Sequence, residues 1–311
     1  MIISASRRTD IPAHYTDWFF NRLEEGYVLT RTPMRPHQVS KISLKPDVVD
    51  GFVFWTKNPL PMMPRLSLLD GIPYYFQFTL TAYGKNLEPG IPSKRDVLIP
   101  AFQNLARTIG SDRLVWRYDP IILTPSYSIE YHLHYFSQLA KALEGTTDTC
   151  VISFFDSYRH LKHAIHSNCL SAPDQIQIME LAARMQDLAH KRGFRLTTCS
   201  ESMDLSNYGI YHSSCIDGQR LSRIAGFSLH VNRDANQRSA CCCDSSVDIG
   251  MYDSCGNHCL YCYANHSEKL VNEHLMKHDP RGPLLYGTLS PEDTITERSM
   301  RSLRSDQISL F

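Results

Sequence analysis

The sequence predicts an α/β fold: a partial (β/α) barrel of about six parallel strands, capped by a C-terminal cysteine-rich segment. Three observations predict it. Six short runs rich in β-branched and aromatic residues alternate with helix-like stretches, and several are almost continuously apolar, as parallel strands covered on both faces are. The helix-like stretches begin at Ser or Pro and stop at Gly. Polar residues follow the apolar run at every strand end, and in a barrel all those ends open onto one face, where sites are built. Turns are polar in any fold, so this third observation is read together with the first two.

The strand candidates are MIISAS (1–6), GFVFWT (51–56), YYFQFTL (74–80), RLVWRY (113–118), TCVISFF (149–155) and FRLTTC (194–199). Helices are expected over 12–26, ending at Gly26; over 93–110, where Pro100 kinks or delays the helix; over 128–145, with Ser128 as cap; and over 171–193. In the last, Ile176, Met179, Ala183, Met185 or Gln186, and Ala189 are expected on one face. Residues 27–50 break the rhythm and read as an inserted hairpin. The barrel is assigned to 1–231, the cysteine-rich segment to 232–270 and a polar tail to 271–311, with 287–311 poorly ordered.

Composition narrows the function classes. The 311 residues are 42% hydrophobic and 21% charged, and 32 basic residues balance 32 acidic ones, so no global charge points to nucleic acid or membrane. No apolar run approaches the roughly 20 residues of a membrane span. At the start, Arg7, Arg8 and Asp10 interrupt the apolar stretch, unlike a signal peptide, and a cytoplasmic protein is expected. Ten cysteines in a reducing compartment point to metal or catalysis.

Cys255, Cys259 and Cys262 are spaced Cys-x3-Cys-x2-Cys. Three thiolates can hold three irons of a 4Fe–4S cluster and leave the fourth open to a substrate or cofactor. The spacing closely resembles the motif of radical S-adenosylmethionine enzymes, in which an aromatic residue before the last cysteine lies against the cofactor; Tyr261 matches. A zinc site of the Cys3His type, using His258 or His266, is the rival.

Over essentially its whole length the chain resembles the family catalogued as domain of unknown function 1848. The matching stretches are SASRRTDIPA (4–13), FWTKNP (54–59), QFTLTAYG (77–84), WRYDPI (116–121), CSE (199–201), CID (215–217) and CCCDSSVDIGMYDSCGNHCLYCYAN (241–265). The resemblance implies a radical S-adenosylmethionine protein with its cluster motif at the C-terminal end. It further implies reductive cleavage of the cofactor to a 5′-deoxyadenosyl radical that abstracts hydrogen from a substrate, with flavodoxin or ferredoxin as electron donor. It supplies no substrate.

Lys57 and Arg117 can meet the cofactor's carboxylate, and Asp119, Asp156 or Glu201 its ribose or amine, although each also fits an ordinary rim salt bridge. Arg7, Arg8 and Asp10 can contact the cofactor or an anionic substrate. Cys199, Cys215, Cys241 and Cys243 are enough to saturate a second 4Fe–4S cluster; separate buried thiols are the plainer reading. Cys150, Cys169, His132, His134, His160, His163 and His166 read as packing or surface residues. Three substrate classes stay open: nucleic acid, through a patch of Arg7, Arg8, Arg31, Arg35 and Lys57; a peptide or small molecule; or none, in a zinc-stapled binding protein. The terminal DQISLF (306–311) resembles the peptide by which bacterial proteins dock on the DNA sliding clamp, through Gln307, Leu310 and Phe311.

Overall fold

The structure is a computed structural model that describes residues 1–156 and 170–305. Its centre is an eight-stranded sheet in the order β10-β1-β4-β5-β6-β7-β8-β9. All neighbours in it run parallel. The six predicted strands are β1 (Ile2–Ala5), β4 (Gly51–Thr56), β5 (Tyr74–Thr79), β6 (Leu114–Ile121), β7 (Thr149–Phe154) and β8 (Arg195–Thr198). The expected count of six is corrected to eight by two short edge strands, β9 (Tyr211–His212) and β10 (Ser246–Asp248). Runs of two and three residues are too short to show a period.

The apolar strand runs have a simple cause. Side chains alternate across a strand with a period of two. Ile3, Phe52, Phe76, Trp116 and Ile152 join the main core on one face of the sheet. Their neighbours in sequence, Ile2, Val53, Tyr75, Val115 and Val151, belong to a second core on the other face. That second core is completed by Cys215, Ile216, Leu221, Cys241 and Cys243, which come from beyond the last long strand. Burying each large apolar side chain contributes roughly 1.5–3 kcal/mol, so both faces anchor the sheet.

The helices follow the punctuation with local departures. The predicted helix 12–26 is two, α1 (Ile11–His14) and α2 (Thr16–Glu25), broken at Tyr15 and stopped at Gly26 with φ 77°. Pro100 delays its helix: a π turn over Lys94–Leu98 precedes α3 (Ile99–Ile109), with the proline in the first turn, where no amide is needed. Ser128 caps α4 (Ile129–Ala142). Asp174 and Gln177 form a capping box on α5 (Gln175–His190). Its buried face is Leu181, Ala182, Met185 and Ala189, whereas Ile176 and Met179, expected there, are 73% and 38% exposed. Two helices were not anticipated, α6 (Gly218–Ala225) and α7 (Glu268–Met276). No helix among the described residues is long and apolar enough to cross a membrane.

The inserted hairpin is present as β2 (Tyr27–Thr32) and β3 (Arg35–Ser43), paired antiparallel. The tail departs from expectation. Within it β11 (Thr294–Glu297) adds to β3 in parallel, and Leu284 and Leu285 are buried. The indole N–H of Trp18 donates to the carbonyls of Gly282 and Leu284, both at 3.0 Å, and Arg31 grips Asp293 through two bonds of 2.7 Å. These long-range partners, invisible in a local composition, order residues 287–305. His160, His163, His166, Cys169 and the segment 306–311 lie outside the described residues.

Candidate functional site

The second face of the sheet leads to the site. Followed toward their C-terminal ends, the residues on that face become polar: Ser6 after β1, Lys57 after β4, Thr79 on β5, Arg117 and Asp119 on β6, Ser153 on β7 and Cys199 after β8. All of them line one cavity of about 500 Å³. Arg7, Asp156 and Glu201 line it too, so the six strand ends share one volume, as expected; Asn58 and Thr81, also polar strand-end residues, are not in its lining.

Cys255, Cys259, Tyr261 and Cys262 line the same cavity. Their loop closes on itself. The Asp253 amide donates to the Ala264 carbonyl at 2.9 Å, and the Asn265 side chain donates to the Cys255 carbonyl at 2.8 Å. The Ala264 amide points at Cys262 Sγ, 3.4 Å away, and the amides of Asn257 and Asp10 face the Cys255 sulfur. Two residues of the loop, Asp253 and His258, take left-handed φ values of 53° and 50°. Burial pushes the Cys255 thiol up to about 12 and raises Cys259 and Cys262 as well. Thiols held protonated this way are poor nucleophiles, but a bound metal would supply the charge that stabilises the thiolates. His266 bonds Asp253 at 3.0 Å, and neither it nor His258 lines the cavity.

Three anchors of this loop were not foreseen as such: Glu88, Asn257 and Asp10, the last expected to contact the cofactor or an anionic substrate. Asp10 caps α1, accepts the Lys57 amide at 2.7 Å and accepts the Asn257 side chain at 2.9 Å, tying two strand ends to the cysteine loop. Asn257 also meets His14 Nε2 at 2.9 Å. Glu88 is 1% exposed and accepts from Lys57 at 2.8 Å, from Thr81 at 2.9 Å, and from Lys94 and the Tyr261 hydroxyl. Burial alone would raise the Glu88 carboxyl, but the Lys57 and Lys94 ammoniums override it and hold it at about 2. Burial wins at Lys94, which is lowered, and Glu88 wins at Lys57, which is raised. The backbone of Gly90 also lies against the cysteine loop: a Cβ there would sit 2.7 Å from the Asn257 carbonyl oxygen. A single acidic residue in a polar loop, such as Glu88, carries no sequence signal of its role.

Of the residues proposed for the cofactor, Lys57 is committed to Glu88 and to the Tyr261 hydroxyl at 3.0 Å. Arg117 pairs with Asp119 and donates to Cys215 Sγ at 2.8 Å. Asp119 also accepts from Ser153, and Asp156 pairs with Arg238. Glu201 accepts the Phe154 amide at 2.8 Å, and burial raises its carboxyl to about 7. Arg7 lies 3.8 Å from Asp234, and Arg8 stacks over the Tyr252 ring. Of the basic residues first grouped as a patch, Arg7, Arg31 and Lys57 thus have acidic partners and Arg8 an aromatic one.

The other cysteines converge as well. Cys199 Sγ lies 2.7 Å from Cys215 Sγ, and Cys243 is in sulfur–sulfur contact with both Cys215 and Cys241. All four line the same cavity as the first set. The Ile216 amide points at Cys243 Sγ, 3.4 Å away. Among the described residues no three His, Cys, Asp or Glu side chains are arranged to hold a single metal ion. Cys150 is fully buried in the main core, and His132 is buried between the Tyr118 hydroxyl and the Ile122 carbonyl, both as packing residues.

No curated protein and no solved structure matches the chain. The family described as Domain of unknown function (DUF1848) matches residues 2–264, from β1 through the cysteine loop, and the chain belongs to that family.

Proposed function

We propose that the protein is a radical S-adenosylmethionine enzyme built on a partial (β/α) barrel over 1–231, with residues 232–270 as an iron–sulfur cap. The observation that carries this reading is the placement of Cys255, Cys259, Cys262 and Tyr261 in one self-closed loop over the cavity where the strand ends meet. A donor set of three thiols, with backbone amides directed at the Cys255 and Cys262 sulfurs, fits a 4Fe–4S cluster with one open iron. Bound there, the cluster and S-adenosylmethionine supply a 5′-deoxyadenosyl radical that abstracts hydrogen from a substrate.

The chain's own residues bind, orient and exclude water. Tyr261 is clamped by Glu88 and Lys57, which fixes its ring at the cavity wall. Glu201 would supply a carboxyl oxygen for the ribose or amine of the cofactor, and Asp119, already held by Arg117 and Ser153, would do so through its remaining lone pairs. Arg117 and Lys57 hold positive charge near its carboxylate, although both already have acidic partners. The cavity volume of about 500 Å³ suits a peptide side chain or small molecule together with part of the cofactor. A nucleic-acid substrate would have to present one extruded residue, because the paired basic groups leave little charge to grip a backbone. Free thiols and a reduced cluster fit a cytoplasmic protein served by flavodoxin or ferredoxin.

Electron paramagnetic resonance of the anaerobic, reduced protein tests the reading. Adding S-adenosylmethionine should shift the cluster signal, and the Cys255→Ala, Cys259→Ala, Cys262→Ala variant should lose that response. One zinc per chain at these cysteines, in place of iron and sulfide, would sink it. Docking on a sliding clamp through Gln307, Leu310 and Phe311 is a separate proposal; a peptide of residues 300–311 that shows no binding at high micromolar concentration ends it.

A further inference from the structure

We infer that Cys199, Cys215, Cys241 and Cys243 hold a second iron–sulfur cluster, fully ligated by the four thiolates, in the cavity that Cys255, Cys259 and Cys262 also line. The inference does not rest on cofactor cleavage by the first set; it stands on how the fold assembles these four side chains.

Three separate chain segments deliver them. Cys199 follows β8, and its amide donates to the Ile152 carbonyl at 3.2 Å. Cys215 precedes α6, and the Tyr75 hydroxyl and Gln77 amide both donate to its carbonyl, at 2.6 Å and 2.9 Å. Cys241 and Cys243 come just before β10. The Asp244 amide donates to the Ile216 carbonyl at 3.0 Å, and the Gly218 amide donates to the Asp244 carboxylate at 2.7 Å, so the two segments are laced together. The carbonyl of the intervening Cys242 accepts from Ser214 at 2.5 Å, and its thiol donates to the Ala240 carbonyl at 3.9 Å. Alternation along 241–243 thus sends the first and third sulfurs to the cavity and leaves the second out of it.

The surroundings suit a cluster. Cys199 Sγ lies 2.7 Å from Cys215 Sγ, and all four thiols line the same cavity without surrounding one point as ligands of a single ion would. A cluster takes one thiolate per iron, so its ligands need not converge on one atom. Arg117 donates to Cys215 Sγ at 2.8 Å and Ile216 donates to Cys243 Sγ at 3.4 Å, contacts of the kind that stabilise ligated sulfur. Arg117 is 5% exposed and pairs with Asp119, and its further donor on Cys215 Sγ would complement the negative charge of a thiolate-ligated cluster. Four protein thiolates leave no open iron, which separates this site from the one proposed to bind S-adenosylmethionine.

The test is iron and acid-labile sulfide counted on the full-length protein, purified and reconstituted without oxygen. About eight of each per chain are expected, four per cluster, and the Cys255→Ala, Cys259→Ala, Cys262→Ala variant should keep about four with the Mössbauer signature of a 4Fe–4S cluster. A folded triple variant without iron overturns the inference. So does a single zinc at the second set, or a Cys199–Cys215 disulfide found by mass spectrometry in protein whose iron is confined to the first set. Should the variant misfold, wild-type Mössbauer spectra decide. Two cluster populations, one of them unmoved by S-adenosylmethionine, support the second site, and one population of about four irons overturns it. A second site that holds iron while the first fails to cleave the cofactor would refute only the proposed function.

Discussion

Replacing Glu88 with Gln removes the one anion shared by two buried ammoniums and the Tyr261 hydroxyl. The side chain keeps its volume, so packing is conserved and the loss is electrostatic. Lys57 and Lys94 are 14% and 18% exposed, which leaves their charge poorly solvated once Glu88 is neutral. Breaking a buried pair by removing one partner costs about 3–5 kcal/mol, and the amide's remaining hydrogen bonds place this change at the lower end, about 3 kcal/mol. Unfolding entropy of about 2.1 cal/mol/K per residue over 311 residues is about 0.65 kcal/mol/K, so the melting temperature should fall by about 5 °C. Circular dichroism melts of wild type and Glu88→Gln at pH 7, under identical cluster loading, measure it. The variant should also hold S-adenosylmethionine more weakly, because Tyr261 loses its clamp. A melting temperature within about 1 °C of wild type would refute the claim that Glu88 neutralises this buried group.

Three further outcomes are expected. Gly90→Ala places a Cβ against the backbone of Asn257 and Gly256, which cannot swing aside, so it should cost about 1–3 kcal/mol and lower iron retention; unchanged iron content and melting would contradict the packing. Burial lowers the His132 imidazole to about 4 against an ordinary 6.5, so the native state stays neutral while the unfolded chain takes up a proton. The contribution is complete above pH 6.5 and is lost as pH falls toward 4, by up to about 3 kcal/mol, and denaturant titrations across that window should show a slope that His132→Gln flattens. Arg31→Ala should speed proteolysis within residues 287–305, since it removes both bonds to Asp293 and the bond to the Thr288 carbonyl; an unchanged cleavage rate would mean that β11 holds the tail without the ion pair.

How much was legible in the sequence follows from range. The six long strands were readable because both faces are buried, which makes Phe52 to Phe54, Tyr74 to Phe76 and Leu114 to Trp116 continuous apolar runs. The cysteine loop was readable because its spacing is local. The edge strands β9 and β10 were not, because their length is set by a neighbour's edge and not by their own pattern. The outward position of Ile176 and Met179 was missed because a helix's apolar residues show a period without showing where the helix begins to touch the sheet. The tail looked unstructured because Trp18 and Arg31, its partners, lie more than 250 residues away. Asp10, Glu88 and Asn257 are tied to the site through Lys57, Tyr261 and His14, partners far off in sequence, so their anchoring roles leave no local signal.

The central claim, that Cys255, Cys259 and Cys262 carry cofactor-cleaving chemistry at the cavity, is tested most directly by one measurement. Wild type and the triple alanine variant are reconstituted with iron and sulfide, reduced without oxygen and incubated with S-adenosylmethionine, and 5′-deoxyadenosine is quantified by chromatography. Wild type should form 5′-deoxyadenosine in a time-dependent manner and the variant none above the protein-free control. Wild type that holds its iron and sulfide yet forms none, or a variant that forms as much as wild type, would contradict the account.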